Sequence, residues 1–211
     1  VAVAQAPNFE KAPKSATARP TEVLNQLAQL YPALFGAEFL PMKRGIFQDL
    51  LAAHPEQFDK ETLKQALAFH ARSTRYLNAV AAGLARHDLQ GQVVEAMAPE
   101  HVHHALLEVF KRRQQRSRED LSPKLRRRLV QAMQASGLTP QAYGELVRSR
   151  DEGANALLDE AMTTWRHEQA RDQALFQAFQ ASGLAMAEFA DSYGLNLAEV
   201  KARLARASSP L

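Results

Sequence analysis

Lys43 and Arg44 follow Pro41 and Met42 where the sequence reads as the start of a helix. The first turn of a helix presents N–H groups without partners and a partial positive charge, which suits a phosphate. Cations in that turn oppose the helix dipole and cost a few tenths of a kcal/mol, a placement that a docked anion would offset. Further along, Lys60 and Lys64 stand four residues apart, with Arg72 and Arg75 beyond them. On a helix these fall on roughly one stripe, opposite Leu63 and Leu67. Arg75 and Arg86 flank a segment with hairpin character and are expected to converge on one ligand. Tyr76 between them offers a flat face or a hydroxyl, either of which suits a terminal nucleotide, unless it packs in the core.

A second cationic feature is denser. Between Lys111 and Arg128 there are nine Lys or Arg against Glu119 and Asp120, a net +7. The whole chain is only +3, so the remainder is net −4. A block of this size attracts polyanions through counterion release, and Lys111, Arg112 and Arg113 open it. A solvated helix face is the plainer reading of a charge run. Following the earlier cations, nucleic-acid contact is the expectation.

Composition narrows the remaining classes. At 211 residues with 46% hydrophobic and 23% charged side chains, the chain has the balance of a soluble globular protein. The absence of cysteine removes disulfides and thiolate metal sites and fits a cytoplasmic location. No apolar run reaches membrane-spanning length, so no membrane partner is expected. Val1 to Pro20 is rich in Ala, Pro and Lys without an apolar stretch, and reads as a weakly basic disordered tail rather than a secretory signal. Nothing points to catalysis. There is no Gly-rich phosphate loop, G-x-S-x-G elbow or H-E-x-x-H pair, and no catalytic residue or cofactor is expected. His101, His103 and His104 cluster after Pro99, but without cysteine they read as a surface stripe rather than a metal site.

The elements that must position these residues are mostly helical. Thr21–Tyr31 carries Val23, Leu24, Leu27 and Leu30 on one side, with Pro32 stopping it. A second helix is expected from Pro41 to His54, and a third from an N-cap at Asp59. Tyr76–Val80, a turn at Ala81–Gly83 and Leu84–Leu89 read as a small hairpin. Gln90-Gly91 is a second turn, before a third strand at Gln92–Val94. Pro99 then opens a helix that runs into the basic block. Beyond it, Leu129–Leu138 matches Leu175–Leu184 at eight of ten positions. Each copy ends a helix at a glycine, Gly137 or Gly183, and starts another, as two packed helical hairpins would.

The blocks Leu40–Leu50 (LPMKRGIFQDL), Ser73–Leu77 (STRYL) and Arg86–Gly91 (RHDLQG), in this order and spacing, resemble the ProQ/FinO domain of bacterial RNA chaperones. The resemblance covers roughly residues 21–118. It implies a mainly α, compact helical domain with a small β-hairpin, here followed by an all-α C-terminal region. With the tail and the helical repeat read above, the chain is expected to divide into a tail (1–20), an RNA-binding domain (21–120) and a helical region (121–211). The resemblance further implies that Pro41, Met42 and Lys43 hold stem phosphates, that Arg75, Tyr76 and Arg86 line the surface taking an RNA 3′ end, and that Lys60 and Lys64 extend the basic face. The partners implied are small RNAs and mRNA 3′ ends, gripped at terminator-like hairpins with a single-stranded tail, in post-transcriptional regulation. Three positions depart from the family pattern: Ala68 stands where a basic residue is common, His70 where another aromatic is usual, and Arg44 where an apolar residue is common.

A different class of function suits the C-terminal helices. Ala187 to Gly194, then Asn196 to Val200, has the rhythm of a helix-turn-helix, with Lys201, Arg203 and Arg206 on its second helix. That reading makes the region a DNA-binding or protein-interaction module. Residues 129–211 are net −3, which favours a packing module, a protein partner or self-association over a DNA grip.

Overall fold

A computed structural model describes residues 19–208. The tail expected over 1–20 lies outside the described residues except for Arg19 and Pro20, and Pro20 already belongs to the first helix. The described residues form α1 (Pro20–Leu30), α2 (Pro32–Phe35), α3 (Ile46–Ala53), α4 (Lys60–Ala71), α5 (Thr74–Ala81), β1 (Arg86–His87), β2 (Val93–Glu95), α6 (Pro99–Gln114), α7 (Ser122–Ser136), α8 (Pro140–Val147), α9 (Glu152–Ser182), α10 (Met186–Ser192) and α11 (Leu197–Ser208). The protein is thus mainly α, with one small antiparallel sheet among the described residues. Among these helices none is long and apolar enough to cross a membrane.

The chain divides into two compact units. The first runs to Tyr76 and takes in Ala85–Glu95; the second comprises Leu77–Leu84 and everything from Ala96 on. In the first unit α1 packs on α4, because Val23 and Leu27 repeat at i, i+4 and meet the face that carries Leu63, Ala66 and Leu67. Asp59 caps α4 as its position suggests, its carboxylate accepting the Thr62 N–H at 2.9 Å. Pro32 does not merely stop α1. It occupies the first position of α2, where its missing N–H costs nothing.

Two local expectations are corrected. Thr74–Ala81 is helical, not the first strand of a hairpin. Ser73 Oγ accepts the Tyr76 N–H at 3.2 Å at its start, and Tyr76, Val80 and Ala81 are buried at helical spacing. The hairpin lies further on, where β1 pairs with β2 about the Gln90-Gly91 turn, placing Arg86 opposite Glu95 and His87 opposite Val93. The second correction concerns Pro41. It does not open a helix: α3 begins at Ile46, with Gly45 as N-cap at φ +84°, a left-handed conformation that favours glycine. Residues 41–43 are extended because their backbone bonds to His87, and Met42 bridges that residue in parallel.

In the second unit α6 packs against α7 and α8, α7 against α9, and α9 against α11. Leu129, Met133, Tyr143 and Leu158 are fully buried at its centre. A smaller cluster of Phe189, Val200 and Leu204 sits against Leu175 and Phe179 near the end of α9. The repeat noted in the sequence is a repeated turn. After Gly137 (φ +68°) the Leu138 N–H donates to Ser136 Oγ at 3.2 Å, and Ser136 Oγ donates to the Met133 carbonyl at 2.6 Å. After Gly183 (φ +63°) Leu184, Ser182 and Phe179 make the same bonds at 3.2 and 2.7 Å. The helices entering the two turns differ, since α9 has 31 residues and α7 has 15.

Each unit buries one histidine. His70 is packed between Phe35, Phe39 and Tyr76, with ring centroids 4.3 to 5.3 Å away. His103 Nδ1 lies 3.2 Å from the Tyr143 hydroxyl, so only His101 and His104 of the expected stripe are exposed. Burial lowers both buried rings from the ordinary 6.5 to about 4. Above pH 6.5 both the native and unfolded chains hold these rings neutral. As pH falls from 6.5 to 4, the unfolded chain takes up protons that the native state refuses, so stability falls and then levels off. The full loss is on the order of 3 kcal/mol per ring. We expect His70→Phe to keep the fold at pH 7 and to flatten this acid loss in urea denaturation followed between pH 7 and 4. An unchanged acid slope in that variant would contradict the assignment.

Candidate nucleic-acid interface

The site is organised by the backbone of Met42. Pro41 is fully buried and its carbonyl accepts the His87 N–H at 2.8 Å, while the Lys43 N–H donates to the His87 carbonyl at 2.8 Å. In an extended chain alternate residues direct their polar groups to opposite sides, so the N–H and C=O of Met42 point away from His87. Both are satisfied by side chains: the Met42 N–H donates to Tyr76 Oη at 3.1 Å, and its carbonyl accepts from Arg86 Nη1 at 2.9 Å. Tyr76 is therefore a buried strut, and burial raises its hydroxyl above the ordinary tyrosine range.

The cations around this segment are not bare. Arg86 Nε lies 3.4 Å and Arg44 Nε 3.5 Å from the same carboxylate oxygen of Glu95. Lys43 Nζ lies 2.8 Å from Asp49, whose carboxylate raises the lysine further above its ordinary value. Arg86 is largely covered, with 14% of its side chain exposed, whereas Arg44 is 65% exposed. Glu95 and Asp49 escaped the sequence reading. Arg86 and Glu95 are equally spaced about Gln90-Gly91, but His87 faces Val93, and it is the bulge between Arg86 and His87 that brings Arg86 opposite Glu95.

Arg75 serves a neighbouring segment instead. Adjacent helix residues project about 100° apart. Tyr76 turns to Met42, while the Arg75 guanidinium lies 4.4 Å from the Phe39 ring centroid and donates to the Ala37 carbonyl. Arg75 borders a cavity of about 290 Å3 that also touches Asn25, Phe39 and His70, and His70 Nε2 has no hydrogen-bond partner among the described residues. Phe39 was not singled out in the sequence, although its ring supports the arginine. On α4, Lys60 and Lys64 are exposed, while Arg72 returns its Nε to the Ala68 carbonyl at 3.0 Å.

In the second unit the basic block occupies the end of α6, a connecting loop and the start of α7. Lys111 lies 2.7 Å from Asp151, Arg112 3.9 Å from Glu108, and Arg113 donates to Asn78 Oδ1 at 3.2 Å. These three suit the negative C-terminal end of α6. The arginines of the proposed recognition helix are committed elsewhere. Arg203 and Arg206 both bind buried Asp172 on α9, with Nε–Oδ distances of 2.6 and 2.8 Å. Of the three cations on that helix, those two are bound to Asp172, Arg203 largely covered and Arg206 half exposed.

A model of the ProQ/FINO family matches residues 17–122. The chain belongs to the ProQ/FINO family. The match takes in the first unit and the beginning of the second. The RNA chaperone ProQ of Histophilus somni (strain 2336) is 39% identical over 88 residues, which are 40% of this chain and 42% of that protein. The RNA chaperone ProQ of Aeromonas salmonicida (strain A449) is 41% identical over the same length and shares. The chain therefore matches less than half the length of these curated relatives. Of solved structures, a FinO-like RNA chaperone from Neisseria meningitidis MC58 aligns with 41% of this chain and 88% of its own, at 34% identity and a TM-score of 0.38. A ProQ homologue from Legionella pneumophila aligns with 54% of this chain and 99% of its own, at 24% identity and a TM-score of 0.39.

Arg86→Ala leaves the Met42 carbonyl without its donor, and a buried group so orphaned costs about 1–3 kcal/mol. We expect that loss in chemical denaturation of the variant. An Arg86→Ala protein as stable as the parent would show that the Met42 contact is dispensable.

Proposed function

We propose that the protein binds RNA through the residues gathered about Met42 and Phe39, gripping hairpins that end in a single-stranded 3′ tail. The observation that carries the reading is the clamp on Met42. It brings Arg86 of β1 beside the segment that carries Lys43 and Arg44, in a ProQ/FINO-family chain. The relatives named as RNA chaperones support RNA as the partner. A fixed group of cations recognises phosphates in a set geometry and reads bases little, as suits a structured RNA. Because Pro41 is buried and Met42 is bonded on both edges, the phosphate contacts are assigned to Lys43 and Arg44, with Pro41 and Met42 holding the segment in place.

Arg75 on Phe39 offers a guanidinium beside an aromatic face, chemistry suited to a terminal nucleotide. Tyr76 and Arg86 hold the adjoining segment. Lys60, Lys64 and Arg72 extend the cationic surface on α4, and Lys111, Arg112 and Arg113 add charge in the second unit. The activity proposed is binding, not catalysis. Residues 21–120 form the RNA-binding part and 121–211 a helical addition suited to a protein partner or a second copy. Small RNAs and mRNA 3′ ends in the cytoplasm are the proposed targets, with shielding of those ends as the route to post-transcriptional regulation.

The test is a salt-titrated affinity comparison of one hairpin carrying a 3′-hydroxyl uridine tail, a 3′-phosphorylated tail or no tail. We expect about tenfold or greater loss on blocking or removing the tail, and a similar loss for Arg75→Ala with the hydroxyl-ended RNA. Equal binding of all three RNAs would leave a cationic surface without end recognition and sink the reading. A second variant isolates the carboxylates. Glu95→Gln frees Arg44 and Arg86 from a charge they share, and should raise affinity about twofold to fivefold with a steeper salt dependence. Weaker binding by Glu95→Gln would instead make Glu95 a positioning group.

A further inference from the structure

A cavity of about 500 Å3 in the second unit lies between the end of α5, the second half of α6 and the start of α7. Its floor is apolar: Leu106 and Leu125 are buried, and Phe110 and Leu121 are half-buried. Its rim carries Arg113, Lys124 and Arg128, all exposed, and among the described residues no carboxylate lines it. Two of the three rim cations are anchored by neutral acceptors. Arg113 Nη2 donates to Asn78 Oδ1 at 3.2 Å, and Arg128 Nη2 to the Ala81 carbonyl at 3.0 Å at the end of α5. Lys124 approaches Glu119 at 3.7 Å, but both side chains are largely exposed, and such a pair holds weakly. The cations therefore keep nearly their whole charge while two of them are held in position.

We propose that this cavity takes an unpaired nucleotide of an RNA strand, its base against the Phe110, Leu121 and Leu125 floor and its phosphates on Arg113, Lys124 and Arg128. The proposal rests on the RNA-binding reading above and adds to it a second, end-independent contact. An apolar floor accepts any base by its face, and a cationic rim follows the backbone on either side, as in sequence-tolerant single-strand sites. The volume falls within the range of small-ligand pockets. An occupant both anionic and flat or apolar fits best, because charge alone leaves the floor uncovered and an apolar body alone leaves two guanidiniums without an anion. A nucleotide meets both demands.

The experiment uses the full chain and a fluorescent ten-nucleotide oligouridine ending in a 3′-phosphate, so that recognition of a free 3′ hydroxyl does not contribute. Ala82 is exposed at the cavity wall, and Ala82→Trp adds an indole there that takes up part of the cavity. We expect Ala82→Trp to weaken oligouridine binding about tenfold, and Arg113→Ala/Lys124→Ala to lower the slope of log affinity against log salt by about 1.4. Crosslinking of 4-thiouridine substituted into the same oligomer should map to residues 106–125. The crosslink stands independently should the tryptophan variant fail to fold, as thermal melting would reveal. Undiminished binding by folded Ala82→Trp, or crosslinks confined to other segments, overturns the proposal. So does an Asp/Glu-rich amphipathic peptide that binds the parent and is lost in both variants while oligouridine is retained, because the cavity then belongs to a protein partner. A parent that binds blocked oligouridine here, yet treats hydroxyl-ended and blocked hairpins alike, supports the cavity and sinks the 3′-end reading. The reverse pattern sinks the cavity alone.

Discussion

The interaction on which the first unit depends is the double satisfaction of Met42. A single extended residue bridged to one neighbour has a free edge, and a buried free edge is costly because its N–H and C=O have left water. Most proteins meet that cost with another strand. Here the sheet has only two strands, and Met42 is itself an isolated bridge. Tyr76 from α5 supplies the acceptor, and Arg86 from β1 the donor, that another strand would otherwise provide. One consequence is mechanical. The segment that bears Lys43 and Arg44 is set by α5 and β1 together, so its cations cannot drift independently of them. Another is chemical. Arg86 and Tyr76 are structural groups first, and what they contribute to a ligand is mostly the placement of their neighbours.

Charge at this site is moderated rather than maximised. Five charged side chains gather around residues 43–49, 86 and 95, and two of them are carboxylates. Without Glu95, the guanidiniums of Arg44 and Arg86 would face one another with no countercharge, and their repulsion would act on the very segment that Arg86 secures. A shared carboxylate removes that repulsion at the cost of some attraction for polyanions. Arg75 meets a related problem in another way. Its charge rests on a ring face and a backbone carbonyl, neither of which neutralises it, so it stays available to an anion.

What the sequence revealed and what it concealed follow from the range of the interactions. The cap at Asp59, the helix opening at Pro99 and the glycine stops at 137 and 183 are set within three or four residues, and all of them could be read directly. The apolar rhythm of α1 and α4 was equally legible. Failures came where a distant partner decides. Nothing near Pro41 announces that His87 will take its carbonyl, and a proline followed by helix-forming residues is locally indistinguishable from a helix start. The stretch Tyr76–Val80 mixes β-branched and aromatic residues with alanine, so a short strand and a short helix differ there only in which side chains find a core. The site residues were legible by type, since cations and an Arg-Tyr pair stand out. Their carboxylate partners were not, because Asp49 and Glu95 acquire meaning only through pairing.

The C-terminal helices show the same economy applied to arginine. Asp172 on α9 is buried, and an isolated buried carboxylate would be severely penalised. Arg203 and Arg206, one turn apart on α11, bracket it and fix how α11 lies on α9. A helix whose two arginines are bound to its own support cannot present them to a DNA groove without first exposing that carboxylate. Arg203 and Arg206 are used in holding helices together, whereas Arg113 at the end of α6 and Arg128 on α7 are held by neutral amide and carbonyl oxygens. The boundary between cations that build the fold and cations left for a ligand follows what each is paired with, not where each stands in the sequence.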